Sequence, residues 1–203
     1  MQTRQLGRNG PVLPAMGLGC MGMSDFYGNA DEAESRATIR AAVEAGVTLL
    51  DTGDFYGWGH NELLLAQALD GIPRDRFFLA VKFGALRDPA GGWGGFDARP
   101  AHVKNYLAQT LRKLRTDHVD LYQPARLDPA VPIEEVVGTV GELVKAGWVR
   151  HVGLSEVGPE TLRRASRVHP IAQLQIEYSL MSRGIEARVL PTCRELGIGI
   201  SAY

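Results

Sequence analysis

The sequence predicts an α/β fold of the (β/α)8 TIM-barrel type, and the order of its elements carries this prediction. From residue 32 onward, segments with helical periodicity alternate with short apolar runs. This alternation is typical of a parallel sheet with helices packed outside it. The apolar runs are expected to be covered on both faces, as parallel strands must be. With 203 residues and 45% hydrophobic content, we expect one domain over residues 1–203 with a substantial core.

The elements follow one another in a regular order. After an N-terminal turn, strands are expected near residue 17 and at residues 47–51, 76–84, 118–125, 148–156, 171–179 and 198–203. Apolar residues at helical spacing predict helices at residues 32–46, 61–72, 98–116, 132–147, 159–169 and 185–197. The count is about seven strands, whereas a closed barrel needs eight and usually about 250 residues. The sequence therefore predicts a barrel whose C-terminal part is missing, or whose gap is filled by a second copy.

The glycine-rich segment at 85–99 separates one predicted strand from the next helix. Loops at the carboxyl ends of barrel strands shape the substrate site, so this segment is expected to flank the mouth of the barrel. A surface excursion without a role in the site is the alternative.

Composition excludes several classes of protein. A net charge of -1 gives no reason to expect binding to nucleic acid or to an acidic membrane surface. Cys20 and Cys193 lie far apart without metal-ligand spacing, so we expect small apolar residues in a reducing compartment and no metal site. No apolar run reaches about eighteen residues, and the N-terminus lacks a basic segment followed by an apolar one. We expect a soluble cytoplasmic protein.

Asp51, Tyr56 and Lys82 lie at the ends of two apolar runs, where an α/β barrel carries its chemistry. A tyrosine with a pKa of about 10 is a poor proton donor at neutral pH. A nearby ammonium lowers that pKa, and a carboxylate beside the ammonium keeps it charged and oriented. The three side chains are therefore candidates for a general acid that protonates a carbonyl oxygen.

Each of the three residues has a structural alternative. Asp51 could be the N-cap of the helix at 61–72, and Tyr56 could be an aromatic residue in a turn. Lys82 is harder to explain in this way, because a lysine in a buried strand is costly unless it is paired.

The chain resembles the aldo-keto reductases from residues 6–23 to its last residue. The likeness is carried by Gly46, Asp51, Thr52, Tyr56, Gly57 and Glu62, by AVKFG around Lys82, and by DHVDLY (117–122), VRHVGLSE (149–156), LQIEYSL (174–180) and ELGIGISAY (195–203). The resemblance implies NADPH-dependent reduction of aldehydes or ketones to alcohols by hydride transfer. In that mechanism Tyr56 donates the proton, Lys82 lowers the pKa of Tyr56, and Asp51 holds Lys82.

One position departs from the family pattern. Aldo-keto reductases usually have DLY followed by two residues and then a histidine, which orients the substrate carbonyl, and here the histidine position is Ala125. Losing such a donor typically costs about 2.7–4 kcal/mol of transition-state stabilisation. Arg126 and Gln123, which are also expected beside the substrate, are candidates to replace it. The alternative is a catalytically weak or inactive cofactor-binding relative, or a fragment of an active one.

The resemblance also implies a set of cofactor contacts at the ends of several strands. A turn beneath the nicotinamide, carboxamide-holding groups and a stacking tyrosine are expected at Gly19, Cys20, Met21, Asp51, Ser155, Glu156, Gln175 and Tyr203. The turn at GLGCM could equally be only a tight turn that enters the barrel. This sequence is thus expected to contain the residues that bind the nicotinamide half of the cofactor, but not most of those that bind its adenosine half. Unpaired strand edges also make a homo-oligomer an expected state.

Overall fold

The computed structural model describes the chain from Met1 to Tyr203, and it begins with a hairpin that the sequence pattern did not predict. Strands β1 (Thr3–Gln5) and β2 (Val12–Pro14) pair antiparallel. The backbone N–H of Arg8, in the turn of this hairpin, donates a hydrogen bond of 2.7 Å to the carbonyl of Gly197. The hairpin is therefore tied to the turn that precedes the last strand.

The remaining elements alternate as predicted, except that the segment at 85–99, which was expected to be a loop, contains two further antiparallel strands. They are β3 (Gly17–Gly19), α1 (Glu32–Glu44), β4 (Leu49–Gly53), α2 (His60–Ala68), β5 (Phe78–Phe83), β6 (Ala85–Arg87), β7 (Trp93–Phe96), α3 (Pro100–Leu114), β8 (Val119–Pro124), α4 (Ile133–Lys145), β9 (Val149–Ser155), α5 (Pro159–Ser166), β10 (Ile171–Ile176), α6 (Val189–Leu196) and β11 (Gly199–Ala202). None of the helices has both the length and the apolar character needed to cross a membrane.

Seven strands form one curled parallel sheet in the order β11-β10-β9-β8-β5-β4-β3. The predicted parallel sheet and its seven strands are confirmed. Strands β3 and β11 are the two edges of this incomplete barrel.

All six helices are shorter than their sequence patterns predicted, and the reason is plain for two of them. Helix α2 ends at Ala68 because an Asp-Gly turn follows, in which Gly71 has a φ of 79°. Helix α6 begins at Val189 rather than at residue 185. Proline lacks a backbone N–H and is tolerated only in the first turn of a helix, and Pro191 therefore limits how far the helix can extend toward the N-terminus.

The interior of the barrel is apolar at its base and polar at the carboxyl ends of the strands. Successive residues of a strand face opposite sides, so Phe78, Ala80 and Lys82 share one face of β5. At the base, Phe78 and Ala80 pack with Leu121 of β8 and Leu13 of the N-terminal hairpin. The larger core lies on the other side of the sheet, under the helices. Because apolar side chains fill the base, the polar side chains of the interior, such as Lys82, lie toward the carboxyl ends of the strands.

Two neighbouring leucines of α2 provide a test of this packing. Leu65 is 0% exposed and belongs to the main core, whereas Leu63 is 45% exposed. We expect Leu65→Ala to lower the free energy of unfolding by about 2–5 kcal/mol, because it leaves a cavity. Leu63→Ala is the matched control and should change it by less than about 0.5 kcal/mol. Urea unfolding of both variants measures the difference, and equal losses would contradict the assigned face of α2.

Candidate active site

The register of the parallel strands brings the candidate residues to one edge of the sheet. Lys82 of β5 is paired with Gly53 of β4 on one side and with Gln123 of β8 on the other. Ser155 of β9 lies opposite Gln175 of β10. Because the carboxyl ends of parallel strands meet at the same end of a barrel, these side chains surround one cavity.

Lys82, which is buried, and Asp51, which is half-buried, form an ion pair between adjacent strands. The ammonium of Lys82 donates a hydrogen bond to Oδ1 of Asp51. Burial alone would lower the pKa of Lys82, but the charges of Asp51 and Tyr56 and the hydrogen bonds to them outweigh burial and raise that pKa. The ammonium therefore stays charged. The alternative that Asp51 caps a helix is wrong, since α2 begins at His60 with Gly59 as its N-cap.

Tyr56 lies directly beside this ion pair. The Nζ atom of Lys82 is 5.4 Å from the centroid of the tyrosine ring. Burial raises the pKa of Tyr56, while the charges of Lys82 and Arg126 and a hydrogen bond to Lys82 act to lower it. Lys82 thus lowers the pKa of Tyr56 as expected, but desolvation is the larger effect, and the net pKa lies above the ordinary value of a tyrosine. The phenol keeps its proton at neutral pH.

The second carboxylate oxygen of Asp51 accepts from a glutamine on the far side of the barrel. Nε2 of Gln175 donates to Oδ2 of Asp51 over 2.8 Å. The carbonyl oxygen of the same side chain accepts from Gln123, which in turn accepts from Gln173. The carboxylate therefore has two different donors, one on each of its oxygens.

Asn61, at the start of α2, is a buried residue that the sequence pattern did not single out. Its Oδ1 accepts from the hydroxyl of Thr52 over 2.6 Å. Its Nδ2 donates to the carbonyl of Cys20 over 2.7 Å and to the hydroxyl of Ser24 over 2.8 Å. Asn61 thus joins β4 to the turn that follows β3. A polar residue in an otherwise apolar helix pattern was the available signal.

A cavity of about 790 Å³ opens at this end of the barrel, and most of the predicted site residues line it. The predicted residues in its lining are Gly19, Met21, Asp51, Tyr56, Lys82, Ala125, Arg126, Ser155, Gln175 and Tyr203. The segment at 85–99 also contributes, because its β6–β7 hairpin presents Ala85, Trp93 and Phe96 to the cavity. The interpretation that this segment flanks the mouth is confirmed.

Three predicted residues lie outside the lining: Cys20, Gln123 and Glu156. Cys20 points into the main core, and burial raises the pKa of its thiol to about 12. Glu156 accepts hydrogen bonds from the hydroxyl of Tyr203 over 2.7 Å and from the backbone N–H of Glu177 over 2.8 Å. Its carboxylate therefore holds the tyrosine at the edge of the cavity.

An aromatic wall, formed by Phe26, Phe55 and Trp93, stands beside Tyr56 and was not predicted. Phe55 meets Tyr56 edge to face with ring centroids 4.7 Å apart, and Phe26 stacks on Trp93 at 5.6 Å. Behind the wall, the guanidinium of Arg87 lies 4.6 Å from the ring centre of Trp93 and 5.4 Å from that of Phe26. The wall makes this side of the cavity apolar.

The family model described as the aldo/keto reductase family matches residues 15–203. The chain belongs to the aldo/keto reductase family. A curated relative, described as probable aldo-keto reductase 1 of Glycine max, is 40% identical over 209 residues. The alignment covers all of this chain and 59% of that relative, so the chain spans less than two thirds of its length.

Solved structures of aldo-keto reductases are similar to this member of the family in fold. An aldo-keto reductase from Bacillus halodurans, in its holo form, has a TM-score of 0.88 and 31% identity, covering all of this chain and 65% of that one. A thermostable aldo-keto reductase in complex with the inhibitor epalrestat has a TM-score of 0.88 and 30% identity, with coverages of 100% and 72%. A glycerol dehydrogenase from Gluconobacter oxydans has a TM-score of 0.87 and 28% identity, with coverages of 99% and 62%.

Asp54, in the turn between Asp51 and Tyr56, makes the stability of the site depend on pH. Burial and the nearby carboxylate of Glu62 raise the pKa of Asp54 to about 8. An unfolded aspartate has a pKa of about 3.9, so between these values the folded chain binds the proton more tightly than the unfolded chain. This contribution to the free energy of unfolding is therefore present below about pH 4 and is lost as pH rises toward 8.

We expect Asp54→Asn, which cannot titrate, to flatten the fall in stability between about pH 5 and pH 8. Urea unfolding at both pH values measures the change. Asp75→Asn, at an exposed position, is the control and should keep the slope of the unaltered protein. An Asp54→Asn variant with the original slope would contradict the assignment.

Proposed function

We propose that this protein reduces aldehydes or ketones to alcohols with NADPH, and that Tyr56 donates the proton to the carbonyl oxygen. The observation that carries the proposal is the position of the Tyr56 ring, in the cavity lining and beside the Lys82–Asp51 ion pair. A buried phenol next to a fixed positive charge is suited to give up a proton and to be stabilised as a phenolate afterwards.

The protonation states of the three residues support this role. The raised pKa of Tyr56 keeps the phenol protonated before the reaction. When the proton leaves, the ammonium of Lys82 faces the new negative charge in a site of low polarity, where such an interaction is strong. Asp51 keeps that ammonium in place. Lys82 therefore favours the product of proton donation more than the starting state, which is how a group lowers a reaction barrier.

The residues on the opposite side of the cavity fit a nicotinamide ring. Tyr203 lines the cavity with its hydroxyl held by Glu156, which leaves the ring as a stacking surface. Ser155 offers a hydroxyl, and Gln175 keeps one N–H of its amide after the bond to Asp51. These groups would hold the ring and its carboxamide, and NADPH supplies the hydride when bound. The preference for NADPH over NADH is the family expectation and part of the proposal.

Arg126 is the better candidate to replace the missing histidine. Gln123 is fully buried and lies outside the cavity lining, and its amide is engaged by two other glutamines. Arg126 lines the cavity next to Ala125, and its charge acts on Tyr56. Its Nη1 donates to the carbonyl of Ala125 over 2.7 Å and makes a 3.4 Å contact with the hydroxyl of Ser155, so other N–H groups of its guanidinium stay available.

A cofactor-binding relative with little or no turnover is the second candidate function. Ala125 favours it, because the alanine side chain packs with Phe55, Tyr56 and Ala85 and offers no hydrogen bond to a carbonyl oxygen. The two candidates differ in whether bound NADPH is consumed. Fluorescence titration with NADPH, and then an assay for NADPH oxidation with a carbonyl compound, separates binding with turnover from binding alone.

We expect Tyr56→Phe to lower kcat at least about 100-fold, because it removes the proton donor and keeps the ring. The assay follows NADPH oxidation with a carbonyl compound. Tyr106→Phe, on α3 and outside the cavity lining, is the matched control and should retain turnover. If the Tyr56 variant were as active as the unaltered protein, another group would have to supply the proton.

We expect Arg126→Gln to lower kcat/KM about tenfold, the effect of losing one charge-assisted hydrogen bond of about 1.5 kcal/mol. In an Ala125→His background the same substitution should cost less, because the histidine supplies the donor. The double-mutant cycle measures this difference. Arg150→Gln, at the opposite end of the sheet in β9, is the control for loss of charge. Equal losses in both backgrounds would show that Arg126 and the histidine position do not share a role.

A further inference from the structure

Three buried glutamines form a continuous chain of hydrogen bonds that ends on the carboxylate of Asp51. Nε2 of Gln173 donates to Oε1 of Gln123 over 3.2 Å. Nε2 of Gln123 donates to Oε1 of Gln175 over 3.4 Å, and Nε2 of Gln175 donates to Oδ2 of Asp51 over 2.8 Å. The two strands that supply the glutamines, β8 and β10, are separated by β9. We call this arrangement the glutamine chain.

The carboxylate sets the direction of the whole glutamine chain. An ionised carboxylate only accepts hydrogen bonds, so Gln175 must turn its NH₂ group toward Asp51. Its carbonyl oxygen then faces Gln123, which must donate in turn and present its own oxygen to Gln173. At the other end of the glutamine chain, Oε1 of Gln173 is buried without a hydrogen-bond partner. No group at that end therefore determines which way the amide hydrogen bonds run. Only one orientation of the three amides satisfies Asp51.

A glycine in β9 leaves the space in which the glutamine chain passes from β8 to β10. Gly153 of β9 lies opposite Gln173 in the register, between the strands of the two amides. A Cβ at this position would come within 2.7 Å of Oε1 of Gln123 and within 2.7 Å of Cδ2 of Leu121. Any side chain here would therefore displace Gln123. The interior of the barrel is shaped to hold this amide next to Gln175.

We propose that Gln123 is a positioning residue for the ion pair of the active site. By donating to Gln175, Gln123 fixes the rotation of that amide and so aims its N–H at Asp51. The carboxylate is then held from the side opposite Lys82, and the ammonium keeps its place beside Tyr56. The kinetic part of this proposal rests on the proposed function, because it concerns the proton donor of that reaction.

The test replaces Gln123 with methionine, which has a similar length and no amide. We expect kcat to fall about tenfold with a smaller change in KM, since one aligned hydrogen bond to a charged group contributes about 1.5 kcal/mol. The basic limb of the pH–rate profile should move to higher pH, because an ammonium that is held less firmly lowers the pKa of Tyr56 less. The charged groups that face Tyr56 are Lys82, Asp51 and Arg126, and none of them is replaced.

Gln173→Met is the matched control, because Gln173 is similarly buried and belongs to the same glutamine chain but makes no hydrogen bond to Gln175. It should change kcat and the pH profile less than Gln123→Met, although both variants lower the melting temperature. Gly153→Ala, which leaves all three amides intact but crowds Gln123, should move the pH profile in the same direction as Gln123→Met. A purely structural role would lower the melting temperature in all three variants and leave each pH profile unmoved, which would overturn the proposal.

A measurement without turnover separates this proposal from the proposed function. In the unaltered protein, the side-chain NH₂ of Gln175 should exchange slowly in an NMR spectrum of ¹⁵N-labelled protein, and in Gln123→Met it should exchange faster. If the unaltered protein reduced no carbonyl, the proposed function would fail while this result could still support the glutamine chain. If the exchange rate of the Gln175 NH₂ group were the same in Gln123→Met, the proposed role of Gln123 would be contradicted whatever the enzymatic activity.

Discussion

A charged ammonium buried in a parallel sheet is the constraint around which the carboxyl end of this barrel is arranged. Lys82 can remain charged there only because Asp51 lies on the adjacent strand, and removing one partner of such a pair typically costs about 3–5 kcal/mol. Asp51 in turn needs donors for its second oxygen, which Gln175 supplies. Each of these polar side chains thus needs a hydrogen-bonding or charged partner, and the partners form one network in the interior of the barrel.

The sequence predicted those parts of the structure in which a pattern of neighbouring residues can be buried in only one arrangement. Alternating helical and apolar segments can be buried only as a parallel sheet covered by helices, and the seven strands result from this. A lysine within an apolar run requires a buried partner, so the pairing of Lys82 with Asp51 was predictable. Positions at the carboxyl ends of strands then had to meet, which accounts for Tyr56 and Gln175 in one cavity.

The parts that it did not predict depend on contacts between segments far apart in the chain. The two short hairpins have weak local signals, and their pairing is stabilised where they pack against the barrel. The direction of the Cys20 side chain depends on the turn that Asn61 holds, which a local pattern does not contain. The net pKa of Tyr56 depends on how far burial outweighs the charge of Lys82, and that balance requires the packed structure.

The guanidinium of Arg87 couples the segments that form one side of the cavity mouth. It lies 4.3 Å from the ring centre of Trp58, forms an ion pair of 2.9 Å with Asp25, and supports Phe26 and Trp93 from behind. These contacting residues come from three separate segments, at 25–26, at 58 and at 93, and all of them meet this one guanidinium. Replacing Arg87 would therefore weaken the contacts of all three segments at once.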